Sequence, residues 1–235
     1  MRHAFQSVSG WLHQSFIDYP GKIATVLFFS GCNLRCPFCH NPDLSLGRTD
    51  TLVNAGEFFG FLDKRKKMIE GVVVSGGEPT LWPQELAALA REIRASGLAV
   101  KLDTNGLLPE VVAEISPDYL ALDIKTLPSA YPILLGAPFT DVEKRLKKSL
   151  EIVRSMGANA EVRITCAPEI VTEEVIAELA PLLHGIARVF LQPFVNSVPL
   201  LDPAFNKKAP LPKETLQRFA GILKQRVGEC RIRGQ

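Results

Sequence analysis

Three of the five cysteines in the chain lie within one short stretch. Cys32, Cys36 and Cys39 are separated by three and by two residues. Thiolates so close in sequence can converge on one metal centre, and soft sulfur ligands select iron–sulfur clusters, zinc or copper(I). A closed zinc or cubane site normally takes four protein ligands, whereas this stretch offers three cysteines. The spacing therefore favours a [4Fe–4S] cluster in which one iron has no protein thiolate and is free to bind another molecule.

Three other interpretations of the cysteines compete with this one. A disulfide framework is disfavoured by the odd number of cysteines, by the length of the chain and by polar residues at its start, which predict no secretory signal. A zinc site could use His40 as its fourth ligand, although Cys39 and His40 are adjacent and difficult to direct at one tetrahedral metal. Purely structural cysteines would need a buried loop, for which Asn33, Arg35 and two prolines are poorly suited. Zinc remains the main alternative.

Length and composition set limits on the class of protein. A chain of 235 residues can bury a large core and still form one domain, as α/β barrels of this size do. The net charge of +2 gives no reason to expect nucleic acid or an anionic membrane as partner. The longest apolar run, residues 23–29, is too short to span a bilayer. We therefore expect a single cytoplasmic domain over residues 1–235, in a compartment where the thiols stay reduced.

The elements that must position the cysteines follow a regular order along the chain. A short apolar run at 24–30 predicts a buried strand that leads directly into the cysteines. Further strands are predicted at 71–75, 98–103, 119–124, 160–165 and 187–191, and helices at 55–67, 83–95, 109–115, 141–156, 172–183 and 213–227. Six strand–helix units without a break indicate an α/β fold with parallel strands. Residues 1–22 form a polar N-terminal segment, and residues 196–212 an irregular loop before the last helix.

Polar residues follow the predicted strands, at the end where ligands of parallel α/β folds bind. Residues two apart in a strand share one face, so Asp103 with Asn105 and Asp123 with Lys125 point the same way. Because buried parallel strands are usually apolar on both faces, a polar face on strand after strand predicts a lumen that holds a polar ligand. The residues concerned are Ser75, Gly76, Gly77, Glu78, Asp103, Asn105, Asp123, Lys125, Arg163, Thr165 and Gln192.

Each of these groups also has a structural explanation. The glycine pair can be a turn, although missing side chains also let backbone approach a ligand closely. Asp103 and Asn105 can be capping and turn residues, and Asp123 and Lys125 can be a plain ion pair. Glu78 can accept hydrogen bonds from an ammonium group. All of them together at one end of the strands favour a ligand site.

The cysteine spacing, with the aromatic Phe38 directly before Cys39, resembles that of the radical S-adenosylmethionine (SAM) superfamily. This resemblance implies a partial (β/α)6 barrel with parallel strands and a radical SAM core. It also implies that the open iron of a [4Fe–4S] cluster is chelated by the amino and carboxylate groups of SAM. An electron from the cluster then cleaves SAM to methionine and a 5′-deoxyadenosyl radical.

The strand-end residues resemble SAM-binding motifs of the same superfamily. Residues 76–79, Gly-Gly-Glu-Pro, are similar to the motif that holds the SAM amino group. Residues 103–106 and 123–125 resemble motifs of glycyl-radical-enzyme activases, which contact the ribose and carboxylate of SAM and hold a monovalent cation, here near Asp103 and Asp123. Phe38 is expected against the adenine, and Arg163 near the SAM carboxylate or ribose. The SAM-binding set implied in this way is Phe38, Gly76, Gly77, Glu78, Asp103, Asn105, Asp123, Lys125 and Arg163.

Residues 15–22, 28–42 and 121–125 are similar to anaerobic ribonucleoside-triphosphate reductase activating proteins. One departure is Gln192, near which related pyruvate formate-lyase activases have a histidine. The resemblance implies an activase that takes a Cα hydrogen from a glycine of a partner enzyme, with an electron donor such as flavodoxin or ferredoxin.

No further cysteine-rich segment occurs, so one cluster is expected. The alternatives are a small-molecule radical SAM enzyme such as a deazapurine synthase, or a non-catalytic iron–sulfur or zinc-binding module. If the substrate is a protein, the loop at 196–212 is a candidate to line or cover the open end of the barrel, and a mere spacer otherwise.

Overall fold

The computed structural model describes residues 5–49 and 51–234 and divides into two compact units. The first unit comprises Met1–Asn33, Asp43–Thr104 and Glu110–Leu120, and the second comprises Leu34–Pro42, Asn105–Pro109 and Ala121–Gln235. The first four residues of the predicted N-terminal segment lie outside the described residues. The prediction of a single domain over the whole chain stays a prediction.

The first unit contains the strands β1 (Val8–Ser15), β2 (Ala24–Phe29), β3 (Gly71–Gly76) and β4 (Ala99–Thr104), which are neighbours in this order. Strand β1 is antiparallel to β2, whereas β2, β3 and β4 are parallel. Four helices follow in the chain: α1 (Pro42–Leu46), α2 (Ala55–Arg65), α3 (Pro83–Ala95) and α4 (Pro109–Ile115). Pro83 begins α3, where its missing N–H costs no hydrogen bond.

One face of this sheet combines an apolar cluster with a buried lysine. One face carries Val26 of β2 and Val73 of β3, packed with Tyr19 and Tyr119 in a buried apolar cluster. On the same face of β4, Lys101 is fully buried and its ammonium group lies 5.9 Å from the centre of the Tyr119 ring. Lys101 therefore lies beside an apolar cluster, two residues before Asp103 in β4.

The second unit contains most of β5 (Tyr119–Ile124), then β6 (Ala160–Cys166), β7 (Arg188–Pro193) and β8 (Glu229–Ile232). Strands β6, β7 and β8 are parallel neighbours in chain order. The helices are α5 (Val142–Met156), α6 (Glu173–Leu182) and α7 (Lys213–Lys224), and a 3₁₀ helix spans Pro128–Leu134. No helix among residues 5–49 and 51–234 is both long and apolar enough to cross a bilayer.

The α/β fold with parallel strands is confirmed, and each predicted strand is found within two residues of its expected ends. Strand β1 was not predicted, because only its end residues Val8 and Ser15 are buried and its sequence does not alternate. Strand β8 was missed because it has four residues, too few to show a period. The last helix was expected to reach residue 227 but ends at Lys224.

Candidate functional site

The glycine pair at the end of β3 lies against the backbone of β2 and of Gly31, the first residue of the cysteine loop (residues 31–42). The amide of Gly77 donates to the Phe29 carbonyl at 2.8 Å, and the amide of Glu78 donates to the Gly31 carbonyl at 2.8 Å. Gly76 has a φ of +119°, which side-chain-bearing residues rarely adopt. A Cβ on Gly77 would lie 2.0 Å from the Gly31 oxygen. The missing side chains are thus required by contact of the chain with itself, immediately before Cys32.

Glu78 is buried and is held by hydroxyl and amide donors of its own unit. Its Oε1 accepts hydrogen bonds from the Thr80 amide at 3.1 Å, the Thr80 hydroxyl at 2.6 Å and the Thr104 hydroxyl at 2.7 Å. The side chain is 1% exposed. These three bonds fix the direction of the carboxylate, which is what a group that orients a ligand ammonium needs.

Asp103 forms an ion pair with a lysine that the sequence reasoning missed. Lys101 Nζ contacts Asp103 Oδ1, and Ser75 donates to Asp103 Oδ2 at 3.2 Å. The sequence analysis places Lys101 within the strand at 98–103 and assigns it no role. Its position two residues before Asp103, on the same face, was the available signal.

Cys36 and Cys39 lie in the second unit, in a tight turn of the cysteine loop. The Cys39 amide donates to the Cys36 carbonyl at 3.0 Å, and Cys36 is buried. Burial raises the pKa of Cys36 to about 11, and the nearby Lys125 charge opposes that rise. A buried thiol of this kind stays protonated unless a cation compensates its charge, and iron would supply that compensation. The donor set therefore fits an iron–sulfur cluster.

No group of three or more Cys, His, Asp or Glu side chains among residues 5–49 and 51–234 is arranged as a ready-made metal site. Cys32, the first of the three cysteines in the sequence, belongs to the first unit and is partly exposed. The assignment of the three cysteines therefore depends on their spacing and on their chemistry.

Asp123 is the centre of a partly buried charge triad in the second unit. Arg163 binds it with two parallel hydrogen bonds, Nε to Oδ1 at 2.7 Å and Nη2 to Oδ2 at 3.1 Å. Lys125 Nζ lies 3.3 Å from Oδ2. Burial alone would raise the pKa of Asp123, but the two cations hold it well below its usual range. Burial would lower the pKa of Lys125, and the Asp123 carboxylate instead keeps it above the ordinary value.

The segment after β5 holds the front of the cysteine loop. The Arg35 amide donates to the Leu134 carbonyl at 2.6 Å, and Leu34 and Leu135 form an antiparallel bridge. Tyr131 of this segment is fully buried, and its hydroxyl accepts from the Lys125 amide at 3.1 Å. Tyr131 had no sequence signal, because its role depends on a contact with the neighbouring strand end.

Two further predicted residues, Asn105 and Phe38, and one buried residue that was not predicted, Glu161, lie in the second unit. Asn105 is a turn residue, since its Oδ1 accepts from the Leu107 amide at 3.1 Å. Phe38 is buried, with its ring centre 6.4 Å from that of Phe205. Glu161, which was missed, is fully buried on the Arg163 face of β6 and lies 3.7 Å from the Arg233 guanidinium.

The family model described as the radical SAM superfamily matches residues 26–179. The chain belongs to the radical SAM superfamily. Membership in this superfamily implies a [4Fe–4S] cluster and SAM as cofactors. The predicted radical SAM identity of the chain is thereby confirmed, together with its assignment as an enzyme of this class.

Two curated relatives of this radical SAM protein are similar over most of its length. A protein of Methanocaldococcus jannaschii, provisionally named a glycyl-radical enzyme activating enzyme, is 32% identical over 233 residues, 96% of this chain and 95% of that protein. The pyruvate formate-lyase-activating enzyme of Clostridium pasteurianum is 30% identical over 194 residues, 77% of this chain and 79% of that enzyme.

Solved structures agree with the radical SAM fold. Streptococcus suis SuiB bound to the precursor peptide SuiA has a TM-score of 0.62 and 17% identity, and the match covers 89% of this chain and 48% of SuiB. TYW1 with a lysine-pyruvate adduct has a TM-score of 0.62 and 17% identity, over 86% of this chain and 73% of TYW1. At this identity the likeness shows the fold alone.

Proposed function

We propose that the chain is an activase that cleaves SAM reductively and abstracts a glycine Cα hydrogen, which leaves a glycyl radical on a partner enzyme. The observation that carries this proposal is the match, over nearly the whole chain, to a relative provisionally named a glycyl-radical enzyme activating enzyme. A pyruvate formate-lyase-activating enzyme matches over three quarters of the chain and supports the same reaction class.

In this proposal Cys32, Cys36 and Cys39 bind one [4Fe–4S] cluster. Their spacing, and the burial of Cys36 next to a lysine charge, support the assignment. When bound, the cluster would supply an electron, and SAM would supply the radical that takes the glycine Cα hydrogen. The other two cysteines, Cys166 and Cys230, are buried among strands of the second unit and have no part in it.

Different observations within each unit support the proposed SAM contacts. In the first unit, Glu78 is held in one direction by three donors, and Gly76 and Gly77 keep the end of β3 against the residue before Cys32. In the second unit, the triad of Asp123, Lys125 and Arg163 carries a net positive charge, which suits a ligand carboxylate. Phe38, Asp103 and Asn105 complete the proposed set.

A monovalent cation near Asp103 and Asp123 has weaker support. Asp103 is paired with Lys101, and Asp123 is paired with Lys125 and Arg163, so each aspartate already has cationic partners within its own unit. An added cation would have to compete with these ammonium and guanidinium groups. It stays a prediction drawn from the resemblance.

We propose an anaerobic ribonucleoside-triphosphate reductase as the partner, because residues 15–22, 28–42 and 121–125 are similar to the activating proteins of that enzyme. The chain carries cysteines for one cluster only, so the electron must come from outside, from a donor such as flavodoxin or ferredoxin. The near-neutral charge favours neither nucleic acid nor an anionic membrane as partner.

The test uses the full chain, reconstituted anaerobically with iron and sulfide. We expect about four irons per chain and an absorption spectrum that shifts when SAM is added. Mixing with SAM, a reductant and the anaerobic reductase should give a glycyl-radical doublet in electron paramagnetic resonance (EPR) spectra. Cys36→Ala should abolish both iron binding and the doublet, and Cys166→Ala is the matched control that should keep them.

Two outcomes would contradict the proposal in different ways. Stoichiometric zinc with no bound iron would overturn the cluster. Deoxyadenosine release that is stimulated by a small molecule, with no glycyl radical on the reductase or on pyruvate formate-lyase, would overturn the activase and favour a small-molecule enzyme.

A further inference from the structure

The loop between β7 and α7 (residues 194–212, here the β7–α7 loop) is held in one shape by two asparagines. Asn206 Nδ2 donates to the carbonyls of Asn196 at 3.1 Å and Val198 at 2.6 Å, and its Oδ1 accepts from the Leu200 amide at 3.1 Å. Asn196 Nδ2 donates back to the carbonyls of Asn206 at 3.3 Å and Lys208 at 2.9 Å. The loop therefore has a fixed conformation although it contains little regular secondary structure.

This fixed loop is hydrogen-bonded to the backbone of the cysteine loop. The Leu201 amide donates to the Cys39 carbonyl at 3.2 Å, and the Asp202 amide donates to the Pro37 carbonyl at 3.0 Å. Both donors lie between Leu200 and Asn206, and the side chain of Asn206 is hydrogen-bonded to the backbone of residues 196–200. The position of the Cys39 backbone thus depends on a residue far away in sequence.

Side chains extend the same contact on either side of these bonds. His40 Nε2 lies 3.0 Å from the Val195 carbonyl oxygen. Phe205, directly before Asn206, is buried between Phe38 and Phe194, with ring centres 6.4 and 6.3 Å away. Residues 37–40 are therefore covered by the β7–α7 loop through backbone, imidazole and aromatic contacts together.

A ligand loop of this kind needs outside support. Residues 36–40 contain a single backbone hydrogen bond of their own among those described, from Cys39 to Cys36, so they cannot fix the two thiols by themselves. Ligands are held within about half an ångström only when surrounding groups lock them.

We propose that the β7–α7 loop fixes the cluster-binding conformation of residues 37–40, with Asn206 as the positioning residue. The proposal deepens the proposed function and rests on it, since it takes Cys36 and Cys39 to be cluster ligands. It adds a defined mechanical role to the expectation that residues 196–212 line or cover the open end of the barrel or act as a spacer.

The test compares Asn206→Asp with Asn159→Asp in the full chain. Asn206→Asp keeps the shape and the Oδ1 acceptor but removes both N–H donors, whereas Asn159 is exposed and makes the same charge change elsewhere in the second unit. In the protein before reconstitution, amide hydrogen exchange of Leu201 and Asp202 should be roughly tenfold faster or more in Asn206→Asp. Asn159→Asp should exchange as the wild type does.

The reconstituted proteins give the second readout. We expect iron to pass to a chelator roughly tenfold faster from Asn206→Asp, and the EPR spectrum of its reduced cluster to broaden or shift. If Asn206→Asp fails to fold, as judged by exchange of strand β6 amides, the neutral Asn206→Ser replaces it with the same expectations.

Unchanged exchange at Leu201 and Asp202 would overturn the proposal, as would faster exchange with unchanged iron release and spectrum. A wild-type chain that binds no iron would instead overturn the proposed function, and this inference with it. The exchange measurement, which needs no cluster, separates the two failures.

Discussion

Replacement of Gly77 by alanine tests a close contact between two backbone segments of the first unit. The added Cβ would lie 2.0 Å from the Gly31 oxygen and 2.7 Å from its carbonyl carbon, where ordinary contact begins at 3.4 Å. The two backbone segments must therefore separate by roughly 1.4 Å, and no side-chain rotation can relieve the overlap, because both partners are backbone. The two hydrogen bonds of 2.8 Å that join them would be stretched at the same time.

The magnitude follows from these two effects. Overpacking costs about 1–3 kcal/mol, and each weakened hydrogen bond about 1 kcal/mol. The lower backbone entropy of alanine in the unfolded chain offsets about 0.4–1 kcal/mol. We expect Gly77→Ala to lower the free energy of unfolding by about 3 kcal/mol and to displace the residue before Cys32.

The assay is urea unfolding of the protein before reconstitution, with thiol labelling of Cys32 as a local probe. Gly221→Ala is the matched control, because Gly221 lies in α7 with no atom within 4 Å of the added Cβ. That substitution should raise the free energy of unfolding by about 0.4–1 kcal/mol. After reconstitution, Gly77→Ala should bind less iron than Gly221→Ala.

A loss below about 1 kcal/mol in Gly77→Ala, with Cys32 labelling as in the wild type, would refute the reasoning. It would mean that the contact between residues 31 and 77 is relieved without cost. The space beside Gly77 would then be available to a ligand, as the sequence alone suggested.

Three further predictions concern buried charges and a buried phenol. Asp123→Asn leaves the buried Arg163 and the partly buried Lys125 without their carboxylate and should cost about 2–3 kcal/mol in urea unfolding at pH 7. Because the folded-state pKa of Asp123 is depressed, its contribution is present above about pH 4 and is lost as pH falls toward the folded value, so the variant should lose less stability in acid. Burial and the nearby Asp118 carboxylate raise the pKa of Tyr19 to about 12, so wild-type stability should be full below about pH 10 and should fall as pH rises toward 12, a decline that Tyr19→Phe removes. Lys101→Met should cost about 3 kcal/mol by leaving Asp103 buried without its cation, and the double variant Lys101→Met, Asp103→Leu should recover most of that loss if the ion pair, rather than packing, is responsible.

Local patterns in the sequence were sufficient for most of the fold. The parallel strands were predicted because their apolar runs are short and bounded by turn residues, and α3 because Pro83 and Gly97 mark its two ends. The same patterns fail for the edge strands β1 and β8. Each buries few residues, so its sequence shows no alternation of buried and exposed positions.

The candidate site was predictable only in part. The spacing of Cys32, Cys36 and Cys39 is a local property, and it was enough to predict an iron–sulfur enzyme that the family match then supported. The pairing of Asp103 with Lys101 was not predicted, because alternation gives the face of a residue and not the length to which its side chain reaches. A lysine in a strand is consistent with either burial or exposure until the opposite layer is known.

The sequence by itself determined which residues could do chemistry and at which strand ends they lie. The cysteine spacing and the alternation along strands are patterns of two to four residues, so they can be read without knowing the fold. Only the tertiary structure decided how those residues are held. Gly77 is a glycine because Gly31, forty-odd positions earlier, occupies the space of its Cβ, and the Cys39 backbone is fixed by a loop whose contact with His40 spans 155 residues. Contacts of this separation leave no periodic signal in the chain, because the residues that meet are brought together by the folding of the sheet between them.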